Sequence, residues 1–252
     1  SNLKIYAILN PFNFNECKKK YLNIYNIDKI SNQKYLNLIN QIKISNLLAS
    51  KSGIDLVTLP IDKSIFKKKM KFTGMTEYLS KINNKKTLML MLGEKFSIIA
   101  LTTHINLRNI YNYIKLNKLD SLLNEILNQV KRDIYDLDFK GIKFLCYNPH
   151  CGEDNTIGFE DKIITKAISN FRKITGPYSA DSAFINIEND NLLFISMYHD
   201  QALIPFKIVN KKGINLTLGL NYRRISPAHG IAKDIKFKNI ANISSYLACM
   251  EY

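Results

Sequence analysis

No apolar run in this chain approaches the roughly 18 residues that a membrane-spanning helix needs. No charged-then-apolar leader opens it either, so the expectation is a cytoplasmic protein with no membrane partner. Acidic residues are in short supply, 21 against 36 basic ones, for a formal charge of +15. The lysines are scattered among asparagine and isoleucine over the whole length, and the runs Lys18–Lys20 and Lys67–Lys69 read as solvated faces. Aromatics do not interleave with basic residues as in an RNA-binding surface, so no nucleic-acid partner is expected. The positive field instead favours anionic small molecules approaching a cleft. Cysteine is scarce as well: Cys17, Cys146, Cys151 and Cys249 form no Cys-x-x-Cys pair, which excludes a disulfide framework and predicts free thiols. Repeats, low-complexity linkers and Pro/Gly-rich boundaries are missing, so any second lobe must form by the chain crossing over and returning.

What is present is an alternation of short β-rich runs and helical stretches, the pattern of a layered α/β fold. It predicts strands at Lys4–Leu9, Asp55–Leu59, Thr87–Leu92, Ser97–Leu101, Lys143–Tyr147, Leu192–Met197 and Asn215–Leu218. Helices are predicted at Tyr35–Lys51, Asp120–Arg132, Lys162–Phe171 and Ile243–Met250. In the second of these, Leu122, Leu123, Ile126, Leu127 and Val130 recur at helical spacing and describe a core stripe.

Of the four histidines, three close strand-like runs: FSIIALTTH at His104, FLCYNPH at His150 and LLFISMYH at His199. Ligands of an open α/β sheet collect at the carboxyl ends of strands, which aims these imidazoles at one crevice. Taken singly, each reads as a capping or core residue. Three in the same context point to a metal centre, because neutral imidazole is a common ligand and a three-histidine set leaves positions open for substrate.

Polar strings follow the remaining strands: FTGMTEY, then NPHCGE with GFED, GPYSADSAF, YHDQALIPFK, GINLTLGL and HGIAKDI. In this order they resemble the 4-hydroxythreonine-4-phosphate dehydrogenase family of vitamin B6 biosynthesis, from about Asp55 to the C-terminus. The resemblance implies a layered α/β/α fold similar to the isocitrate and isopropylmalate dehydrogenases. It implies a single catalytic chain of two interleaved lobes, with the active site in the cleft at a homodimer interface. It further implies that His104, His150 and His199 hold a divalent metal (Zn, Mg, Mn or Co), one ligand coming from the partner subunit. Substrate contacts carry over to Thr76, Lys207, Asn215 and Arg224, and Asp181 matches a further active-site acid. Asp200 is placed to orient an imidazole or relay a proton. His229 and Gly230 resemble the loop that holds the adenosine part of NAD or NADP.

The implied reaction is oxidation of 4-phosphooxy-L-threonine to a 3-keto acid, which decarboxylates to 3-amino-2-oxopropyl phosphate. A Lewis-acidic metal at the hydroxyl and a nicotinamide accepting hydride suit that chemistry. Arg224 offers an anion a planar fork and Lys207 a point charge; burial of Lys207 would fit it for proton transfer. Three departures from the family stand out. Met75 replaces a phosphate-binding histidine, and a thioether cannot donate to phosphate. Ala228 replaces an aspartate before His229. The opening SNLKIYAILNPFNFNE lacks the family's Gly/Pro-rich strand–turn segment, which is expected to be missing or shortened. The alternatives are a related dehydrogenase of phosphorylated threonate or erythronate, or a degenerate non-catalytic homologue.

Overall fold

A computed structural model describes residues 4–66, 69–188 and 191–252, so Lys67 and Lys68 of the second lysine run lie outside the described residues. The strands are β1 (Ile5–Ile8), β2 (Leu22–Tyr25), β3 (Leu56–Val57), β4 (Leu88–Leu92), β5 (Phe96–Thr102), β6 (Gly141–Leu145), β7 (Ile174–Tyr178), β8 (Leu192–Tyr198), β9 (Ile214–Leu218) and β10 (Arg224–Pro227). The helices are α1 (Lys34–Ser52), α2 (Met75–Asn83), α3 (Leu116–Val130), α4 (Glu160–Ile168), α5 (His199–Val209) and α6 (Ser244–Glu251). Among the described residues, no helix is long and apolar enough to cross a membrane. All four cysteines are free.

The chain divides into two compact units, one of Ser1–Leu56 and Asp62–Phe72, the other of Val57–Ile61 and Thr73–Tyr252. In the first, β1 and β2 pair in parallel, and α1 buries Ile42 and Ala49 before ending at a left-handed Gly53. In the same unit Phe66 and Phe72 stack with ring centroids 4.3 Å apart.

An eight-stranded mixed sheet runs in the order β3-β10-β9-β4-β5-β8-β6-β7. Its β5-β8-β6-β7 half is parallel, whereas β4, β9 and β10 alternate in direction. Strand β5 is buried at all seven positions, as a central strand covered on both faces must be. Side chains alternate across it. Ile99 and Leu101 join Leu90, Phe144, Ile195 and Leu216 in a core closed by α3, α4 and α6. Phe96, Ile98 and Ala100 join Met91, Phe194 and the α5 residues Ala202 and Phe206 on the opposite face. Helices thus cover both faces, giving the layered α/β/α arrangement. On α3 the buried stripe is Leu119, Leu123, Ile126 and Val130, with Leu122 and Leu127 packed at its edges. Each fully buried aliphatic side chain contributes on the order of 1.5–3 kcal/mol.

Three strands and two helices differ from the sequence expectation by being there at all. β7 carries Gly176-Pro177, which disguises a strand; it is tolerated because β7 lies at the sheet edge. β2 and β10 are four-residue strands. α2 is short and opens after a glycine, and α5 contains Pro205. The strand expected at Asp55–Leu59 shrinks to Leu56–Val57. The one expected at Lys143–Tyr147 ends at Leu145, since the Tyr147 and Asn148 amides donate to Asp161 instead of a neighbouring strand.

Tyr135 bridges the core to the turn after β9. Its hydroxyl donates to Leu220 O (3.0 Å) and accepts from Gly219 N (2.7 Å). Tyr135→Phe would strand a buried N–H and C=O, so it should destabilise the protein by about 1–3 kcal/mol. Urea unfolding followed by circular dichroism measures this, with an unchanged slope expected.

Candidate active site

Parallel pairing brings two histidines together. β5 and β8 align Thr102 with Tyr198, so His104 and His199, just beyond the two strand ends, emerge side by side. Their ring centroids lie 5.8 Å apart. His104 Nδ1 is 2.7 Å from Glu77 Oε1, and His199 Nδ1 is 2.6 Å from Asp200 Oδ1. A carboxylate oxygen only accepts, so each Nδ1 is the donor, which in a neutral imidazole leaves the lone pair on Nε2. Such carboxylate–imidazole pairs are how proteins present histidine to a metal.

His150 stands apart from these two. It is exposed, and its Nδ1 lies 3.9 Å from Asp181 Oδ2. Among the described residues of one chain, no group of three or more His, Cys, Asp or Glu side chains is placed to hold a metal. The donor set fits a divalent ion only as two imidazoles from one chain, with further ligands supplied from outside it.

The backbone around His150 is unusual. φ is positive at His150 (50°), Cys151 (56°), Gly152 (83°), Glu153 (45°) and Asp154 (54°), a left-handed turn built mostly from non-glycine residues. Such geometry costs roughly 1–2 kcal/mol per L-residue and must be held by its surroundings. Asp161, buried at the start of α4, accepts from Tyr147 N (2.7 Å), Asn148 N (3.0 Å) and Asn148 Nδ2 (3.0 Å). Gly152 is required twice over, because a Cβ there would also lie 2.4 Å from Gly158 O. Gln201 on α5 fastens the strand ends, accepting from Met197 N and donating to Cys146 O, both at 2.8 Å.

A second polar group lies on β9, β10 and the start of α2. Arg224 is 4% exposed and donates to Thr217 Oγ1 (3.1 Å, from Nη1) and Thr58 Oγ1 (3.0 Å from Nε, 2.5 Å from Nη2). No carboxylate pairs with it among the described residues. Burial lowers its pKa to about 10, with Tyr222 as the largest opposing influence. Thr76 Oγ1 sits 3.4 Å from Thr217 Oγ1. Asn215, two residues before Thr217 and so on the same side of β9, has a buried Oδ1 without a hydrogen-bond partner. Met75 is the first residue of α2, preceded by Gly74, which offers no side-chain cap.

The remaining expected residues are peripheral. Lys207 on α5 is exposed, so the burial that would fit it for proton transfer is absent from the isolated chain. Asp200 and Asp181 are also exposed; Ser179 Oγ donates to Asp181 at 2.5 Å and, against slight desolvation, lowers its pKa. Among the described residues His229 Nδ1 meets only Gly230 O (2.9 Å), and Gly230 borders open space. The loop starts from Ala228, whose N–H is tethered by Ser245 Oγ (2.8 Å).

Residues that the sequence reading passed over include Glu77, Asp161, Gln201, Thr58 and Thr217. Glu77 carries a visible signal, an acid three residues after the glycine that opens a helix. The threonines carry none, because nothing local marks a hydroxyl that serves an arginine seven or 166 positions away.

A family model described as "Pyridoxal phosphate biosynthetic protein PdxA" matches residues 10–252. The chain belongs to the PdxA family. Among relatives of this PdxA-family chain, a "4-hydroxythreonine-4-phosphate dehydrogenase" of Hydrogenobaculum sp. (strain Y04AAS1) is 40% identical over 200 residues, covering 78% of this chain and 63% of that protein. One of the same name from Aquifex aeolicus (strain VF5) is 40% identical over 204 residues, covering 76% and 62%. The chain thus spans about three-fifths of the length of these curated relatives. A solved 4-hydroxythreonine-4-phosphate dehydrogenase from Klebsiella pneumoniae shares the fold, with TM-score 0.75, 24% identity and coverage of 100% of this chain and 83% of the other. Another, from Burkholderia phymatum, has TM-score 0.64 at 23% identity, covering 98% and 80%.

Proposed function

We propose that this PdxA-family chain oxidises 4-phosphooxy-L-threonine with NAD or NADP, in pyridoxal phosphate biosynthesis. The product is the 3-keto acid, which loses carbon dioxide to give 3-amino-2-oxopropyl phosphate. The observation that carries the reading is the His104–His199 pair, each Nδ1 held by a carboxylate, in a chain whose relatives bear this activity's name. His104 and His199 of one chain, with His150 of a second copy, would hold a divalent ion (Zn, Mg, Mn or Co). This makes the working form a homodimer with shared sites, which we place in the cytoplasm. When bound, the ion supplies a Lewis acid at the substrate hydroxyl, and the nicotinamide supplies the hydride acceptor.

The chain's own side chains have separable tasks. Arg224, buried with no carboxylate bonded to it, presents its guanidinium to an anionic group of the substrate. Thr76 and the first amides of α2 add donors at a helix N-terminus. Asn215 Oδ1, unsatisfied in the free chain, is an acceptor awaiting a donor such as the substrate amine. Lys207 adds a point charge for phosphate, and Asp181 remains ionised beside His150. His229 and Gly230 form an open loop suited to the cofactor's adenosine part.

The test is NADH or NADPH formation by the purified chain with 4-phosphooxy-L-threonine, alongside metal analysis. No bound metal and no reduction would overturn the reading in favour of a non-catalytic homologue. Met75 supports a second reading, a dehydrogenase of phosphorylated threonate or erythronate; faster turnover of those hydroxy acids would establish it instead. Under the first reading, Met75→His adds a donor for phosphate and should lower KM for the phosphorylated amino acid about tenfold or more.

A further inference from the structure

We infer that Glu77 is a positioning residue that sets the tautomer of His104, and that residue 74 is glycine to leave room for its carboxylate. This deepens the metal-site reading, on which its functional consequence rests. His104 lies in a bend beyond β5, so no regular element dictates how its ring is turned. Glu77 ties the ring to α2: Oε1 accepts from His104 Nδ1 at 2.7 Å and from Thr103 Oγ1 at 3.3 Å.

The position of Glu77 in its helix makes this arrangement informative. An acid three residues after the cap ordinarily reaches back to satisfy the cap's own N–H. Glu77 turns to the imidazole instead, and its Oε2 is buried without a partner. An orphaned carboxylate oxygen is unfavourable for the fold. Its retention is accounted for by what the other oxygen does.

Gly74 supplies the second, independent observation. Its φ of −173° is extended backbone open to any residue, so conformation does not require glycine there. Space does. A Cβ at residue 74 would lie 2.5 Å from Glu77 Oε2 and 3.3 Å from His104 Cε1. Alanine would therefore fit the backbone and push the carboxylate off the ring. Asp200 cannot play so firm a part for His199, since it is that residue's exposed neighbour on the same helix turn.

With Glu77 in place, the Nδ1–H form of His104 is imposed and Nε2 is a ready donor to a cation. Without it, the proton redistributes between the nitrogens and affinity for the ion falls about 10- to 100-fold. The test uses the metal-free full-length chain, reading His104 by long-range proton–nitrogen NMR above the imidazole's titration range. Zn²⁺ affinity is then measured by competition with a chromogenic chelator. Wild type should show the Nδ1–H tautomer; Glu77→Ala and Gly74→Ala should both lose it and bind Zn²⁺ more weakly by the stated factor. Should Glu77→Ala fail to fold, Gly74→Ala carries the test. A tautomer unchanged in the folded variants overturns the inference. A tautomer that shifts while wild type and variants bind Zn²⁺ equally poorly leaves the positioning role standing and overturns the metal reading instead.

Discussion

His199→Ala should lower kcat/KM by about 10³-fold or more, the loss expected when a site gives up a metal ligand worth several kcal/mol. The fold should hardly register the change. His199 is one-third exposed, and its ring contacts are Asp200 and the His104 ring. Stability should stay within about 0.5 kcal/mol of wild type, the range of surface substitutions. Metal content after extensive dialysis, measured by mass spectrometry, should fall in step with activity. A variant that keeps both its metal and its turnover would remove His199 from the ligand set. One that unfolds would show instead that the imidazole is structural, contrary to its exposure.

Arg224→Met should produce effects of opposite sign on stability and activity. A buried guanidinium with no carboxylate bonded to it is disfavoured by the fold: burial lowers its pKa to about 10, and Tyr222, Cys249 and Glu77 oppose that only in part. The protonated form is what burial opposes, so unfolding relieves it. At every pH below about 10 the folded state therefore carries the penalty in full, on the order of 3 kcal/mol at about 1.4 kcal/mol per unit. Stability gains from this source only as pH rises beyond that point. Methionine fills similar space without charge, and apolar replacement of buried charges ranges from neutral to stabilising by about 1–4 kcal/mol. Thr58 and Thr217 lose their arginine, but Thr217 retains Thr76 as a neighbour at 3.4 Å. Substrate recognition should suffer heavily, with kcat/KM down about 10²-fold or more through loss of a charge-assisted contact. Thermal unfolding with and without inorganic phosphate checks both halves: wild type should gain stability from phosphate and the variant should not. A variant that is less stable yet equally active would make Arg224 a structural residue.

Legibility of the sequence varied with the range of the interaction involved. The His104–His199 juxtaposition could be read because strand ends converge in any parallel α/β sheet, and the runs FSIIALT and LLFISMY are unmistakable. Their carboxylates were only half visible. Asp200 is adjacent to its histidine, whereas Glu77 comes from a helix that hides behind a glycine. The α3 stripe was evident from spacing, but α5 was not, because Pro205 breaks the helical pattern. β7 was missed because Gly-Pro argues against a strand unless the edge position is known. The left-handed turn at His150–Asp154 had no signal beyond Gly152, since nothing local marks Glu153 or Asp154 for positive φ, and Asp161 anchors only the amides just before the turn.

Strand β8 inserts between β5 and β6, both of which are made earlier in the chain. During synthesis, a polypeptide that has not yet reached Leu192 carries two hydrophobic strands with a vacant slot between them. Unpaired apolar edges of this kind invite sticking to other chains. The ribosome-bound intermediate is thus the stage at which aggregation is expected. A message cut short before β8 would yield a product that lacks the crevice and calls on chaperones or proteases.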